Sequence, residues 1–232
     1  MPMNRTSSAA LVGLFLGLTA LAALPGVAHA GDGTTVTRTY PWHSDQLTLE
    51  VPADVHYQPA PDWRLTISAP ERTLRELVVE DGRIKSRVHA CFSLVPFCMR
   101  FGTDIEHTVH VSISGPALRV IRVDGVADLE LDQIHQDRLR LQIDGSGKVR
   151  GSGTVDALAV TIDGAGTVHL GHLSEQRARV HINGSGTVSI APTDSVSVNI
   201  AGAGTVRLHS NPAHVTSHIY GAGEVTRVPA TG

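Results

Sequence analysis

From about residue 36, apolar and polar residues alternate with a period of two, the mark of strands that bury one face. From Leu118 a longer period is laid over it. Five segments read LQIDGSGKV, VTIDGAGTV, VHINGSGTV, VNIAGAGTV and SHIYGAGEV. Their central residues, Ile143, Ile162, Ile182, Ile200 and Ile219, lie 19, 20, 18 and 19 residues apart. Within one repeat, Val160 and Ile162 share a face and Thr161 takes the other. Asp163-Gly164-Ala165-Gly166 turns a corner, after which Val168 and Leu170 face inward again. The corner glycines are Gly145 and Gly147, Gly164 and Gly166, Gly184 and Gly186, Gly202 and Gly204, and Gly221 and Gly223. The residue between each pair is always small: Ser146, Ala165, Ser185, Ala203 or Ala222. Short strands and Gly corners at a period of about 20 residues predict the coils of a solenoid. The fold class is therefore all-β, a parallel β-helix with coils of about 19 residues, regular over about 118–228. VIRVDGVADLEL (120–131) reads as a degenerate first copy, with Val123 standing 20 residues before Ile143. That makes six related coils, and Ile113-Ser114-Gly115 reads as a still earlier vestige.

Ahead of the coils the pattern is strand-like but irregular. LTLEV (47–51), WRLTIS (63–68) and ELVVE (76–80) are punctuated by Pro52, Pro59, Pro61 and Pro70. Asp81-Gly82 predicts a hairpin, and residues 72–77 predict one short helical turn. The first 30 residues have the composition of a signal peptide: Arg5, an uncharged run from Ala9 to Leu24, Pro25, then Ala28-His29-Ala30. Cleavage after Ala30 would leave a leader at 31–35 and a single domain at 36–228. Gly31 stands where a lipid-anchored chain has Cys. No later segment approaches the roughly 18 apolar residues of a membrane span. The expected location is the periplasm, the cell surface or the medium.

Charge and composition narrow the function. The formal charge of −3 becomes −4 once Arg5 leaves with the signal, and Lys85 and Lys148 are the only lysines. No basic stripe is evident, so no nucleic-acid partner is expected. Cys91 and Cys98, in ACFSLVPFCMR, form the expected disulfide of an exported chain and would shape a hairpin tip. Two thiols without two further ligands make a poor metal site.

The repeated Ile-Asx-Gly-Ser/Ala-Gly-x-Val unit resembles the head GIN domain of putative auto-transporter adhesins. The resemblance covers about residues 36–228 and is most specific from Leu141 to Val228. It implies a secreted or envelope-facing right-handed parallel β-helix with an irregular N-terminal portion. It supplies no catalytic residues. The chain lacks the C-terminal run of amphipathic strands that would form a translocator barrel, so it is not itself expected to be an auto-transporter.

Candidate chemistry is sparse. Asp124, Asp144, Asp163 and Asn183 would stack about 4.8 Å apart at the corner, where carboxylates could hold a cation or act as an acid/base pair. Asx before Gly is also simply a good turn former, and the column ends in Ala201 and Tyr220. His181 and His218 take the outward position before the inward Ile and read as solvent-facing. Asp104, Glu106 and His110 alternate along one segment, too spread for a triad. Gly145-Ser146-Gly147 sits between strands, unlike a nucleophile elbow. Aromatics crowd the N-terminal half, where Trp42, Tyr57 and Trp63 could form a ligand surface or cap the open end of the solenoid. No catalytic, cofactor or metal site is expected. The reading is a non-catalytic envelope or cell-surface module with an adhesin-like recognition or scaffold role, facing an envelope protein or glycan. Alternatives are a glycan binder using those aromatics and a polysaccharide-active enzyme using the corner aspartates. The open end of a solenoid is an expected pairing edge for a homo-oligomer.

Overall fold

The computed structural model describes residues 35–87 and 109–228. The signal-like segment and the Cys91–Cys98 loop lie outside the described residues. The described residues belong to one compact unit, Gly33–Gly232.

The chain is a parallel β-solenoid, as the repeat predicts. In chain order the elements are β1 (Thr35–Tyr40), β2 (Gln46–Leu49), β3 (Ala53–Pro59), β4 (Arg64–Pro70), α1 (Glu71–Glu76), β5 (Leu77–Glu80), β6 (Arg83–Ser86) and β7 (His110–Gly115). The repeat region follows as β8 (Val120–Gly164), β9 (Thr167–Gly184), β10 (Thr187–Gly202), β11 (Thr205–Leu208), β12 (His214–Gly221) and β13 (Glu224–Arg227). The helical turn and the Asp81-Gly82 hairpin both form, the latter pairing Glu80 with Arg83.

Coils stack in parallel register with like on like. Ile162 pairs with Ile182, Ile182 with Ile200, and Ile200 with Ile219. Ile162, Ile182 and Ile200 are completely buried. The column continues back through Val123, Leu49 and Ile84, which share one register line.

That last alignment departs from the expected irregular N-terminal portion. β2 and β3 form a genuine coil stacked under β8, with Gln46–Leu49 on Val120–Val123 and Ala53–Tyr57 on Ala127–Leu131. β6 and β7 pair in parallel beneath that coil. Stack order is therefore not chain order, because β2 and β3 lie between the later β6 and β7 on one side and the start of β8 on the other. Ile113 is not a vestige of the isoleucine column; it aligns with Tyr57 and Leu131 on the next side. At the end of the stack the ladder turns antiparallel, β4 running against β7 and β1 against β4.

The two glycines of each corner do different things. The first of each pair, and Gly125, have φ between +127° and +139°, a region essentially closed to other residues. A Cβ on Gly164 would also stand 2.5 Å from the Gly145 carbonyl oxygen. That carbonyl accepts the Ala165 N–H at 2.9 Å, a bond repeated by Ser185, Ala203 and Ala222 on their own neighbours. The second glycine leaves room for isoleucine: a Cβ on Gly166 would meet Ile162 Cγ2 at 3.2 Å and Ile143 Cδ1 at 3.3 Å. Gly164→Ala should therefore cost about 1–3 kcal/mol in backbone strain and displace the neighbouring coil as well. Gly166→Ala should cost about 1 kcal/mol through overpacking. Equal losses of melting temperature would refute this division.

Candidate functional site

Two of the three candidate ligand-surface aromatics, Trp42 and Tyr57, are buried. Each is 1% exposed, so their rings cannot stack on a sugar. Trp42 Nε1 donates to the Ser44 carbonyl at 2.8 Å, and the Tyr57 hydroxyl donates to the Gly115 carbonyl at 3.0 Å. Trp63 is half-buried and lies over Gly115, where any side chain would collide with its ring. Tyr57 lies inside the stack, between Ile113 and Leu131. Of the three, only Trp63 keeps part of its surface in contact with solvent.

The corner column does assemble. Asp163 pairs with Asn183, Asn183 with Ala201, and Ala201 with Tyr220. Asp144 accepts the Gln142 amide at 2.9 Å, and Arg122 in turn donates to Gln142. Partial burial, followed by the nearby Asp124 and Asp163 carboxylates, raises the Asp144 carboxyl above its ordinary range. Neither groove described below is lined by these aspartates. Among the described residues no three His, Cys, Asp or Glu side chains converge as a metal cluster. His181 and His218 sit on either side of Asn199 in one outward row, about two coil spacings apart. Of Asp104, Glu106 and His110, the first two lie outside the described residues, and His110 pairs with Asp54 at 3.3 Å.

Two concavities mark the solenoid surface. The smaller, about 400 Å³, contains its own counter-charges. His56 faces Glu130 and Asp132 at 3.7 Å each, while Lys148 and Arg150 line the far side. Burial and the Arg150, Lys148 and Arg207 charges hold the His169 imidazole beside them below its usual range.

The larger groove, about 590 Å³, crosses the outward face of successive coils. It was not foreseen. Arg138 and Arg140 lie one coil, 19 residues, before Ala157 and Ala159. Ala157 and Ala159 are in register with Arg177 and Arg179, which are in register with Ser195 and Ser197. The next coil contributes His214 and Thr216. Long and short side chains thus alternate coil by coil, giving a trough of Ala between two ridges of Arg. Arg119 closes one end and is held by Asp45 at 3.3 Å and Asp137 at 3.2 Å. The signal was present in the sequence: RLRL (138–141) and RARV (177–180) put each Arg at an outward position of the same side.

The far end of the stack is open. Every residue of β12 is exposed, with Val215 and Ile219 at 39% and Tyr220 at 68%.

The structure is that of a parallel β-solenoid with outward side-chain rows in register across successive coils. The chain belongs to the family described as putative auto-transporter adhesin, head GIN domain, which it matches over residues 45–212. No curated protein matches it in sequence. It is similar in structure to a putative adhesin from Bacteroides fragilis, at 17% identity and a TM-score of 0.62, covering 84% of this chain and 98% of that one. A putative lipid binding protein from Parabacteroides distasonis is matched at 18% identity and a TM-score of 0.44, over 86% of this chain and 98% of that one. A putative adhesin from Parabacteroides merdae is matched at 16% identity and a TM-score of 0.43, with the same coverage. The family and these structures are named as adhesin-like or lipid-binding, not as enzymes.

Proposed function

We propose that the protein is an exported, non-catalytic recognition module that holds an envelope or cell-surface ligand against a strand face of its solenoid. One observation carries this reading: outward rows in strict register across successive coils form a groove, while the carboxylate column lies outside it. A surface of this kind is preorganised, because each outward side chain is flanked in the strand by buried inward neighbours such as Leu139 and Ala178, and little order is lost on binding. The adhesin-like family and the signal-like N-terminus support export to the periplasm, the surface or the medium.

The test is a binding screen of the purified protein over arrayed envelope polysaccharides and peptidoglycan, with and without Ca²⁺. Saturable binding that is indifferent to Ca²⁺ is expected. A folded protein that binds nothing on the array would overturn the reading. Binding that requires Ca²⁺ would move the site to Asp124, Asp144 and Asp163.

A further inference from the structure

We infer that the arginine groove is a binding site for a linear acidic polysaccharide, whose carboxylate or sulfate groups lie in the Ala157–Ala159 trough between the two arginine ridges. The inference rests on the recognition reading above and names its ligand class.

Charge is the first argument. The chain as a whole is acidic, at −3, yet five arginines and a single acid, Asp45, line this groove. Arg138, Arg140, Arg177 and Arg179 are exposed, and none forms an ion pair or side-chain hydrogen bond with another described residue. The fold has no use for this arrangement. Like charges alternating along a strand and facing each other across coils repel, and nothing inside the solenoid depends on them. In the other groove, by contrast, histidines are paired with carboxylates.

Geometry is the second. The ridges stand two coils apart, roughly 10 Å at about 4.8 Å per coil. Their floor is Ala157 and Ala159, short enough to admit a chain between the guanidinium groups. Guanidinium forks bind planar carboxylates, and also sulfates, through paired N–H donors. The trough repeats the two-arginine motif at a fixed interval, which suits a polymer carrying charge at regular intervals better than one compact anion.

Composition of the lining decides between polyanions. No Phe, Tyr or Trp lines the groove, and its one imidazole, His214, lies beyond the second arginine ridge and the serine row next to it. That removes the stacking platform by which single-stranded nucleic acids are held. The large apolar residues of its lining, Leu139, Leu158 and Val196, are buried in the core, which leaves little apolar surface for the anchors that dominate protein partners.

The experiment measures binding of the purified protein to polygalacturonate, dextran sulfate, neutral dextran, oligothymidylate and polyglutamate of matched length, by titration at low and high salt. Saturable binding to the acidic polysaccharides, weakened at high salt and absent for neutral dextran, is expected. The quadruple change of Arg138, Arg140, Arg177 and Arg179 to Ser should weaken that binding at least a hundredfold. Its melting temperature should stay equal or rise, since the repulsion is gone. Changing Lys148 and Arg150 to Ser should leave binding within about threefold, because exposed charges a Debye length or more away are largely screened. Unchanged affinity in the quadruple variant overturns the site. Tighter binding of oligothymidylate or polyglutamate than of polygalacturonate overturns the ligand class. If acidic polysaccharides fail while another array ligand binds, the groove assignment falls and the recognition reading stands; if nothing binds, both fall.

Discussion

Ile182→Asp is expected to abolish the folded state. Ile182 is fully buried, stacked between Ile162 and Ile200, and its Cγ2 and Cδ1 fill the space that Gly204 leaves open, 3.0 and 3.1 Å from where a Cβ would be. Removing the isoleucine forfeits about 1.5–3 kcal/mol of apolar burial. The carboxylate that replaces it finds no cation inside the stack, and an uncompensated buried charge adds roughly 3–5 kcal/mol. The sum is comparable with the whole stability of an ordinary domain, about 5–15 kcal/mol. Coils also stabilise only their neighbours, so a failed middle rung divides the stack. Ile219→Asp is the matched control: the same column and corner, but 39% exposed on the last rung. Its carboxylate reaches water, and the expected cost is about 1 kcal/mol. Far-UV circular dichroism and thermal melting distinguish the two. A cooperative, wild-type-like melt for Ile182→Asp would show that the column does not carry the core.

The contrast explains which parts of this fold were readable. Ile-Asx-Gly-x-Gly is readable because corner backbone at φ near +130° leaves no substitute for glycine, and because Gly166 must stay small beside Ile143 and Ile162. Where the corner is built differently the signal disappears. The coil at 46–59 turns through Glu50-Val51-Pro52, and its partners lie 74 residues away (Gln46 to Val120), so no local repeat announces it. Trp42 and Tyr57 misled for a related reason. A large ring with a polar edge suits a ligand surface and a capped core equally, and only burial separates them. The arginine groove was hidden because no run of basic residues exists. Arg140 and Arg177 are 37 residues apart and become neighbours only when two coils are wound. The period-two rule already placed each arginine outward; placing the pairs opposite one another required the coil register as well.

Period two also puts Glu175 inside, and this gives the protein a pH-dependent stability. Glu175 lies between Val155 and Pro192 in the stack and is 1% exposed. It serves a defect in the ladder. The β9–β10 register shifts on both sides of Ala191–Pro192, and Glu175 Oε1 accepts the Ala191 N–H at 3.0 Å. Oε2 has no partner among the described residues. Burial outweighs that one hydrogen bond and raises the carboxyl from 4.5 to about 8. The native state therefore holds a proton that the unfolded chain releases from about pH 4.5 upward. Between the two values the folded form binds more protons, so stability falls as pH rises, and it levels off above about pH 8. The range of the shift corresponds to a loss on the order of a few kcal/mol. Glu175→Gln keeps a carbonyl acceptor for Ala191 and cannot ionise. Its stability relative to wild type should climb from pH 5 to about pH 8 and then level off in urea titrations, with a total gain on the order of a few kcal/mol. Asp144, raised in the same direction, titrates in both proteins and cancels in the difference. Parallel curves across that range would mean that Glu175 ionises freely in the fold, and that the Ala191 N–H is held by a charged carboxylate.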